Sequence, residues 1–292
     1  MPLMTIRELL KLSSDYLERK QIDQPRLNAE VLLASSLGTG RLELYLNGEK
    51  PLGEEEIAVF RDLVRRRSAR EPLQYITGTQ EFRSISFTVG PGVLIPRPET
   101  ELLVERVLKS ISDMPAEENP HILDLGTGSG IVAVSVSLAF PNARVCATDI
   151  SPAAMAYALR NARNHDVDKR IRFVIGDWLE PFFPRKAVFH AISANPPYVA
   201  EGEWPGLEAE VRNHEPKTAL TAAEGGMADI RRIITAAPLY LAPGGRLFLE
   251  TAPWHTEEAV ELMESSGRFS NCITSRDYAG RNRVVEGEFT AV

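Results

Sequence analysis

An α/β protein built on a mostly parallel sheet covered on both faces, with a smaller helical part ahead of it, is the fold class this sequence predicts. Three observations predict it. The first 75 residues carry helical periodicity, apolar strand-length runs alternate with helical patterns beyond Pro120, and three alternate glycines follow the first of those strands directly. A length of 292 residues allows one large domain or two modest ones, and 43% apolar with 25% charged residues is the composition of a chain that folds on its own core.

The helical part starts at Thr5-x-x-Glu8, a capping-box signature, with Leu9, Leu12, Tyr16 and Leu17 expected on one packed face. A second helix runs from about Arg26 to Leu37 and breaks at Gly38 and Gly40; a short third segment, Leu42 to Leu46, precedes a turn at Asn47-Gly48. The fourth begins near Glu54. Glu54, Glu55 and Glu56 suit its positive end, Arg65, Arg66, Arg67 and Arg70 its negative end, and Ile57, Phe60, Leu63 and Val64 form its apolar stripe. That arginine cluster is expected to be a solvated, dipole-matched helix end, the other reading being a contact for a protein or RNA partner.

From Tyr75 to Val89 the pattern turns to β, with a hairpin whose polar turn is Arg83-Ser84. Pro96 and Pro98 force extended backbone before a helix carrying Leu103, Val104, Val107, Leu108 and Ile111. Strands follow at Ile122 to Leu125, Arg144 to Asp149, Ile171 to Ile175, Val188 to Ser193 and Arg246 to Glu250. Helices are expected at about Gly130 to Leu138, Pro152 to His165, Asp229 to Leu241 and Glu257 to Ser265, and a final strand fits Arg283 to Phe289.

The net charge is −7, and all of it lies beyond Tyr75, because the stretch up to that residue carries twelve basic and twelve acidic side chains. A neutral helical part and an acidic remainder disfavour broad nucleic-acid binding. Cys146 and Cys272 stand far apart in apolar contexts and read as reduced core residues. No run of 18 apolar residues and no apolar leader occur, so the expected location is the cytoplasm. The five histidines have no metal-ligand spacing, and no metal is assigned.

The strand Ile122 to Leu125 runs into Gly126-Thr127-Gly128-Ser129-Gly130, where glycine lets the backbone turn sharply and approach a ligand. The spacing is not that of a dinucleotide fingerprint, and no lysine accompanies the glycines to cradle a triphosphate. Asp149 ends the second strand, 19 residues past Gly130, and is either a ribose acceptor or a solvated strand-end carboxylate. Asp177-Trp178 ends the third: either the carboxylate accepts from an exocyclic amine and the indole packs on a purine, or the Asp caps a turn beside a buried Trp. Helix-start amides next to Gly130 favour a carboxylate. A ligand with a ribose, an adenine and an amino-acid carboxylate is S-adenosylmethionine.

The fourth strand ends in Asn195-Pro196-Pro197-Tyr198, a rigid corner suited to a planar NH2 group: the Asn195 side-chain oxygen and the Pro196 carbonyl each accept one hydrogen, and Tyr198 lies against the substrate plane. The plain alternative is a turn after a strand.

Pro72 to Gly78, Val93 to Glu101, Leu123 to Gly130, Asn195 to Tyr198 and Ala279 to Val285 together resemble the HemK/PrmC family of methyltransferases, strongly from Pro72 onward and more loosely before it. The resemblance implies a Rossmann-like, seven-stranded class I S-adenosylmethionine-dependent methyltransferase sheet whose last strand runs antiparallel. It implies three parts: a helical substrate-recognition domain over 1–74, a β-hairpin linker over 75–92 and a catalytic domain over 93–292. It further implies methylation of the glutamine in the Gly-Gly-Gln loop of class 1 peptide-chain release factors. Charge and hydropathy separately lead to the expectation of no stable nucleic-acid partner and no membrane, and a monomer is expected. Cofactor contacts carry over to Gly126, Thr127, Gly128, Ser129, Gly130, Asp149, Trp178 and Asn195, with Asp177 added from its strand-end position. Substrate contacts carry over to Asn195, Pro196, Pro197 and Tyr198. The chain departs from the family pattern at Glu224 to Asp229 and at Glu250 to His255.

Two further stretches have alternative readings. Residues 199 to 226 show little periodicity and form either a flap over the substrate channel or a surface loop. Arg97, Glu99 and Glu101 either line the methyl-transfer cavity or are helix-start charges. Competing functions are an adenine amino-methyltransferase acting on nucleic acid, which the charge distribution opposes, and a binding module without turnover, which the intact glycine, acidic and Asn195 positions oppose.

Overall fold

Thr5 opens the first helix as its sequence signature requires: Thr5 N–H donates to Glu8 Oε2 at 2.9 Å and Glu8 N–H donates to Thr5 Oγ1 at 3.3 Å. The structure, a computed structural model, describes residues 4–115, 119–183 and 188–291. The chain divides into two units, one running to Thr79 and taking in Glu208–His214, the other made of Gln80–Leu207 and the chain from Glu215 onward.

In the first unit, α1 (Ile6–Arg19), α2 (Pro25–Leu37), α3 (Arg41–Leu46), α4 (Glu54–Ser68) and α5 (Leu73–Thr77) enclose a core of Leu17, Leu32, Leu33, Leu44, Leu52 and Phe60. The buried face of α1 is Ile6, Leu9, Ser13 and Leu17, so Leu12, expected to pack, lies outside the 3.6-residue stripe and is exposed. Proline at the first position starts α2, and Gly38, at φ +63°, ends it.

The arginine cluster departs from its expected solvated character. Arg65 is exposed beside Asp62, but Arg67 continues the Phe60–Val64 stripe and is only 4% exposed. Its Nε donates to Asn28 Oδ1 at 2.6 Å, Nη1 to the Glu71 carbonyl at 2.9 Å and Nη2 to Glu210 Oε1 at 2.6 Å. Three acceptors compensate its desolvation. Arg67→Ala is expected to lower stability by about 3 kcal/mol, because Asn28 and Glu210 lose a buried donor. Urea unfolding of the whole chain measures this, and a parental midpoint would refute it.

The β pattern begins later than the sequence indicates. Tyr75 and Ile76 are buried on α5, which Gly78 terminates at φ +76°. The hairpin is β1 (Thr79–Phe82) and β2 (Ile85–Thr88), and Arg83 and Ser84 both adopt positive φ, as a two-residue hairpin turn demands.

There follow α6 (Thr100–Ser112), β3 (His121–Leu125), α7 (Ile131–Ala139), β4 (Arg144–Asp149), α8 (Pro152–Asn164), β5 (Ile171–Ile175) and β6 (Phe189–Ala194). A short pair of strands, β7 (Val199–Ala200) and β8 (Thr221–Ala222), brackets α9 (Ala209–His214). The chain closes with α10 (Ala228–Ala236), β9 (Leu241–Glu250), α11 (Thr256–Ser265), β10 (Phe269–Arg276) and β11 (Asn282–Phe289). The helix expected to reach Leu241 stops at Ala236, since Pro238 cannot continue it.

The seven-stranded sheet has the order β10-β11-β9-β6-β3-β4-β5, and β11 is antiparallel to both neighbours while the others run parallel. The sequence reading missed β10. It is an edge strand with mostly exposed or half-exposed side chains, including Cys272, and so lacks an apolar run.

Register is what builds the site. Leu125 pairs with Thr148 and with Ala194, and Ala194 pairs with Leu249. The next residue on each strand falls in one row along the carboxyl edge: Gly126, Asp149, Asn195 and Glu250. Successive side chains alternate faces, so this row shares the face of the row two residues back in register, Asp124, Ala147, Ser193 and Phe248. Phe248 packs there with Leu103, Val104 and Val107 of α6. Among the described residues no helix is long and apolar enough to cross a membrane.

Candidate active site

The glycine loop is held from beneath. Asp124, one residue before the end of β3, is buried and accepts from Thr127 Oγ1 at 2.6 Å and from Ser193 Oγ at 3.1 Å. Burial pushes its carboxyl up to about 6, against the pull of those two hydroxyls. Thr127 N–H donates to the Thr148 carbonyl at 2.8 Å, which continues the β3–β4 ladder one step into the turn. Gly126, Gly128 and Gly130 all have positive φ, and a Cβ on Gly126 would meet the Trp178 ring at 3.0 Å. A Cβ on Gly130 would meet the Ala158 backbone at 3.1 Å, so that glycine serves helix packing.

Asp149 closes over this loop. Its Oδ2 accepts from Gly128 N–H at 2.9 Å and its Oδ1 from Ser151 N–H at 2.8 Å, each oxygen retaining a further lone pair. Burial holds its carboxyl above the ordinary range, while the two amide bonds oppose that shift. Trp178 adopts φ +44° and donates Nε1–H to Asp229 Oδ1 at 2.9 Å. Asp177 is ion-paired with Arg232 at 2.8 Å, and the same guanidinium reaches Glu180 and Asp229.

These groups line a cavity of about 520 Å³ with Pro96, Arg97, Thr100, Ser129, Asn195, Pro197, Pro216 and Thr218. All the sequence-derived cofactor positions except Gly130 border it, and Gly130 sits directly behind. Of the tetrapeptide, Asn195 and Pro197 line the cavity; Pro196, between them, is buried, and Tyr198 packs against the core on the β9 side. Burial and the nearby Glu250 charge push the Tyr198 hydroxyl up to about 12, so it stays protonated.

Arg97, Glu99 and Glu101 separate. Arg97 borders the cavity and pairs with the buried Glu215 at 2.6 Å, whereas Glu99 lies 3.6 Å from Arg281 and Glu101 accepts from Arg83 N–H at 3.4 Å. The stretch 199–226 is not an irregular loop: it holds β7, α9, β8 and short 3₁₀ turns. Glu215, which also accepts from Ile95 N–H at 3.0 Å, fixes Pro216 and Thr218 at the cavity wall.

Sequence reasoning gave no site role to Asp124, Asp229 and Glu250, and singled out Glu215 only as part of the 199–226 stretch. Two of these carried a local signal, since Asp124 interrupts and Glu250 terminates an otherwise apolar strand. The two stretches that depart from the family pattern meet behind the tetrapeptide: His255 Nε2 lies 3.0 Å from the Gly225 carbonyl, and a Cβ on Gly226 would lie 2.2 Å from the Tyr198 carbonyl oxygen.

The cavity suits S-adenosylmethionine on its own features. Its volume is that of a small-molecule site, of order 300–1,000 Å³. It offers a carboxylate acceptor at Asp149, an indole wall at Trp178 and a bare-backbone turn that tolerates no side chain at Gly126.

Comparison with known proteins decides the family. The chain is 41% identical over 283 residues to a release factor glutamine methyltransferase of Geobacter sulfurreducens, covering 97% of this chain and 96% of that one. It is 42% identical over 279 residues to the Chlorobaculum tepidum protein of the same name, covering 94% of each. The chain belongs to the release factor glutamine methyltransferase family. The PrmC N-terminal domain model matches residues 8–78 and the methyltransferase small domain model matches 99–209. A methyltransferase from Pyrococcus furiosus shares the fold at 18% identity, with a TM-score of 0.53 over 78% of this chain and 99% of that chain. As a member of this family, the chain is an S-adenosylmethionine-dependent methyltransferase.

Proposed function

We propose that this family member methylates the side-chain amide nitrogen of the glutamine in the Gly-Gly-Gln loop of class 1 release factors, acting as a cytoplasmic monomer. In this reading residues 1–74 recognise the substrate, 75–92 link, and 93–292 catalyse. The observation that carries it is the placement of Asn195 in the same sheet row as Gly126 and Asp149, so that an amide acceptor and a nucleoside cradle face one cavity.

Gly126, Thr127, Gly128, Ser129 and Gly130 present backbone, Asp149 accepts from ribose hydroxyls, and Asp177 and Trp178 border the base. When bound, S-adenosylmethionine supplies an electrophilic methyl carbon on a positively charged sulfur. An amide nitrogen is a poor nucleophile because its lone pair is delocalised into its carbonyl. Asn195 Oδ1 and the Pro196 carbonyl therefore accept its two hydrogens and favour the localised, tetrahedral nitrogen over the planar one. They also aim the lone pair, so part of the acceleration is orientation. As nitrogen takes the methyl carbon from sulfur, where the C–S electron pair remains on a neutral thioether, it becomes acidic and releases one proton to water, and no strong base is required. Pro196 and Pro197 hold the corner, and Tyr198, pinned against the core, fixes its exit.

Incubation with purified release factors and labelled cofactor, followed by peptide mass mapping, tests this. One added methyl on the Gly-Gly-Gln glutamine is expected, and label on nucleic acid or on no release factor would refute it. Asp149→Ala is expected to weaken cofactor binding about 100-fold, as two hydrogen bonds to a charged acceptor are lost. Titration calorimetry reads this, and an unchanged affinity would remove Asp149 from the ribose site.

A further inference from the structure

Glu250 ends β9 in the row that holds Asn195 at the end of β6, and it is wholly buried at 0% exposure. Neither carboxylate oxygen reaches a hydrogen bond of ordinary geometry, although the Thr100 hydroxyl and the Asn195 amide lie against it and favour its charged form. A buried carboxylate without such a bond is costly to keep unless its charge is used. The mechanism above gives it no part.

The neighbour it can act on is Asn195. An asparagine amide has a donor end and an acceptor end of nearly identical shape, and only the orientation with Oδ1 toward the substrate accepts its N–H. Asn195 Nδ2 lies 3.3 Å from Thr100 Oγ1. A hydroxyl both donates and accepts, so Thr100 alone tolerates either orientation. A carboxylate only accepts, and it repels an amide oxygen turned toward it. We propose that Glu250 is a positioning residue for methyl transfer, its carboxylate drawing the Asn195 NH2 group inward and thereby holding Oδ1 toward the substrate amide.

The titratable groups facing Glu250 are Arg283 from β11 and Glu99 ahead of α6, both charged, and the neutral Tyr198 hydroxyl beyond β6. Arg283 favours the ionised carboxylate, and Glu99 opposes it. Burial outweighs the favourable contacts and pushes Glu250 up to about 7, so the orienting charge is lost as pH falls through neutrality.

This inference rests on the glutamine methyltransferase reading, and the test separates the two. Glu250→Gln keeps the shape but removes the charge, and an amide can present either an acceptor or a donor to Asn195, so the preference for Asn195 with its NH2 group inward is lost. The expected result is a fall in kcat of about tenfold or more, with cofactor Kd and release-factor KM within about twofold of the parent. In the parent, kcat is expected to rise with pH through about 7, and E250Q loses that limb. A parent that methylates glutamine with a flat profile between about pH 6 and 8 would overturn the proposal without any variant folding. So would E250Q at the parental kcat, or E250Q whose cofactor affinity collapses together with kcat. A parent that transfers no methyl to release factors would instead sink the function itself.

Discussion

Replacing Asn195 by alanine is expected to lower kcat for release-factor methylation by about 10³-fold while cofactor affinity changes by less than about threefold. The side chain is credited with an interaction that strengthens as the amide nitrogen localises its lone pair, so its loss falls on the transition state more than on binding. The cradle proposed for the nucleoside comes from the ends of β3, β4 and β5, which alanine at position 195 leaves in place. Asn195→Asp is not expected to rescue the rate. It restores two acceptor oxygens but places a second carboxylate beside the buried Glu250, and the pair would hold a proton or repel. Steady-state incorporation of labelled methyl, with calorimetry for the cofactor, separates these effects. A residual kcat above about a tenth of the parental value would remove Asn195 from the reacting centre.

The parts of the molecule that were legible in the sequence are those whose physics is local. β4 and β5 lie where the apolar runs Arg144–Asp149 and Ile171–Ile175 placed them, and Thr5, Gly38 and the Arg83–Ser84 turn behave as their residue types dictate. The glycine loop was readable because only glycine fits three positive-φ positions in five residues. The place of Asp149 at the cavity edge was readable because it closes a strand. What was not legible depends on partners distant in sequence. Arg67 looked like one of four solvated arginines until Asn28, the Glu71 carbonyl and Glu210 supplied its acceptors. Trp178 is oriented by Asp229, 51 residues away, and Glu250 reaches Asn195 only through the β6–β9 register. Local periodicity carries no information about which strand lies beside which, so a residue whose role comes from a neighbouring strand reads only as an oddity in its own.

Gly226→Ala is expected to abolish most activity, by about 100-fold or more, and to cost about 3 kcal/mol of stability. Gly226 has φ +97°, and an added Cβ would lie 2.2 Å from the Tyr198 carbonyl oxygen and 2.7 Å from His255 Cε1. The first obstacle is backbone, immediately after two prolines with fixed φ, so it cannot swing aside as a flexible side chain would. Relief must come from moving either the Glu224–Gly226 turn or the Asn195–Tyr198 corner. The second shifts the acceptors proposed for the substrate amide, and a displacement near 1 Å at a reacting centre costs about 10²-fold. Gly225 provides the internal control. It also has positive φ, at +66°, but a Cβ there meets nothing within 4 Å. Gly225→Ala should therefore cost only the left-handed backbone penalty, about 1–2 kcal/mol, and keep nearly the parental rate. Thermal unfolding and methyl incorporation on the two variants side by side decide the matter. If both lose activity equally, the turn matters for its conformation alone and the packing of Gly226 against Tyr198 does not support the catalytic corner; if Gly226→Ala keeps the parental rate, the corner is not held from this side at all.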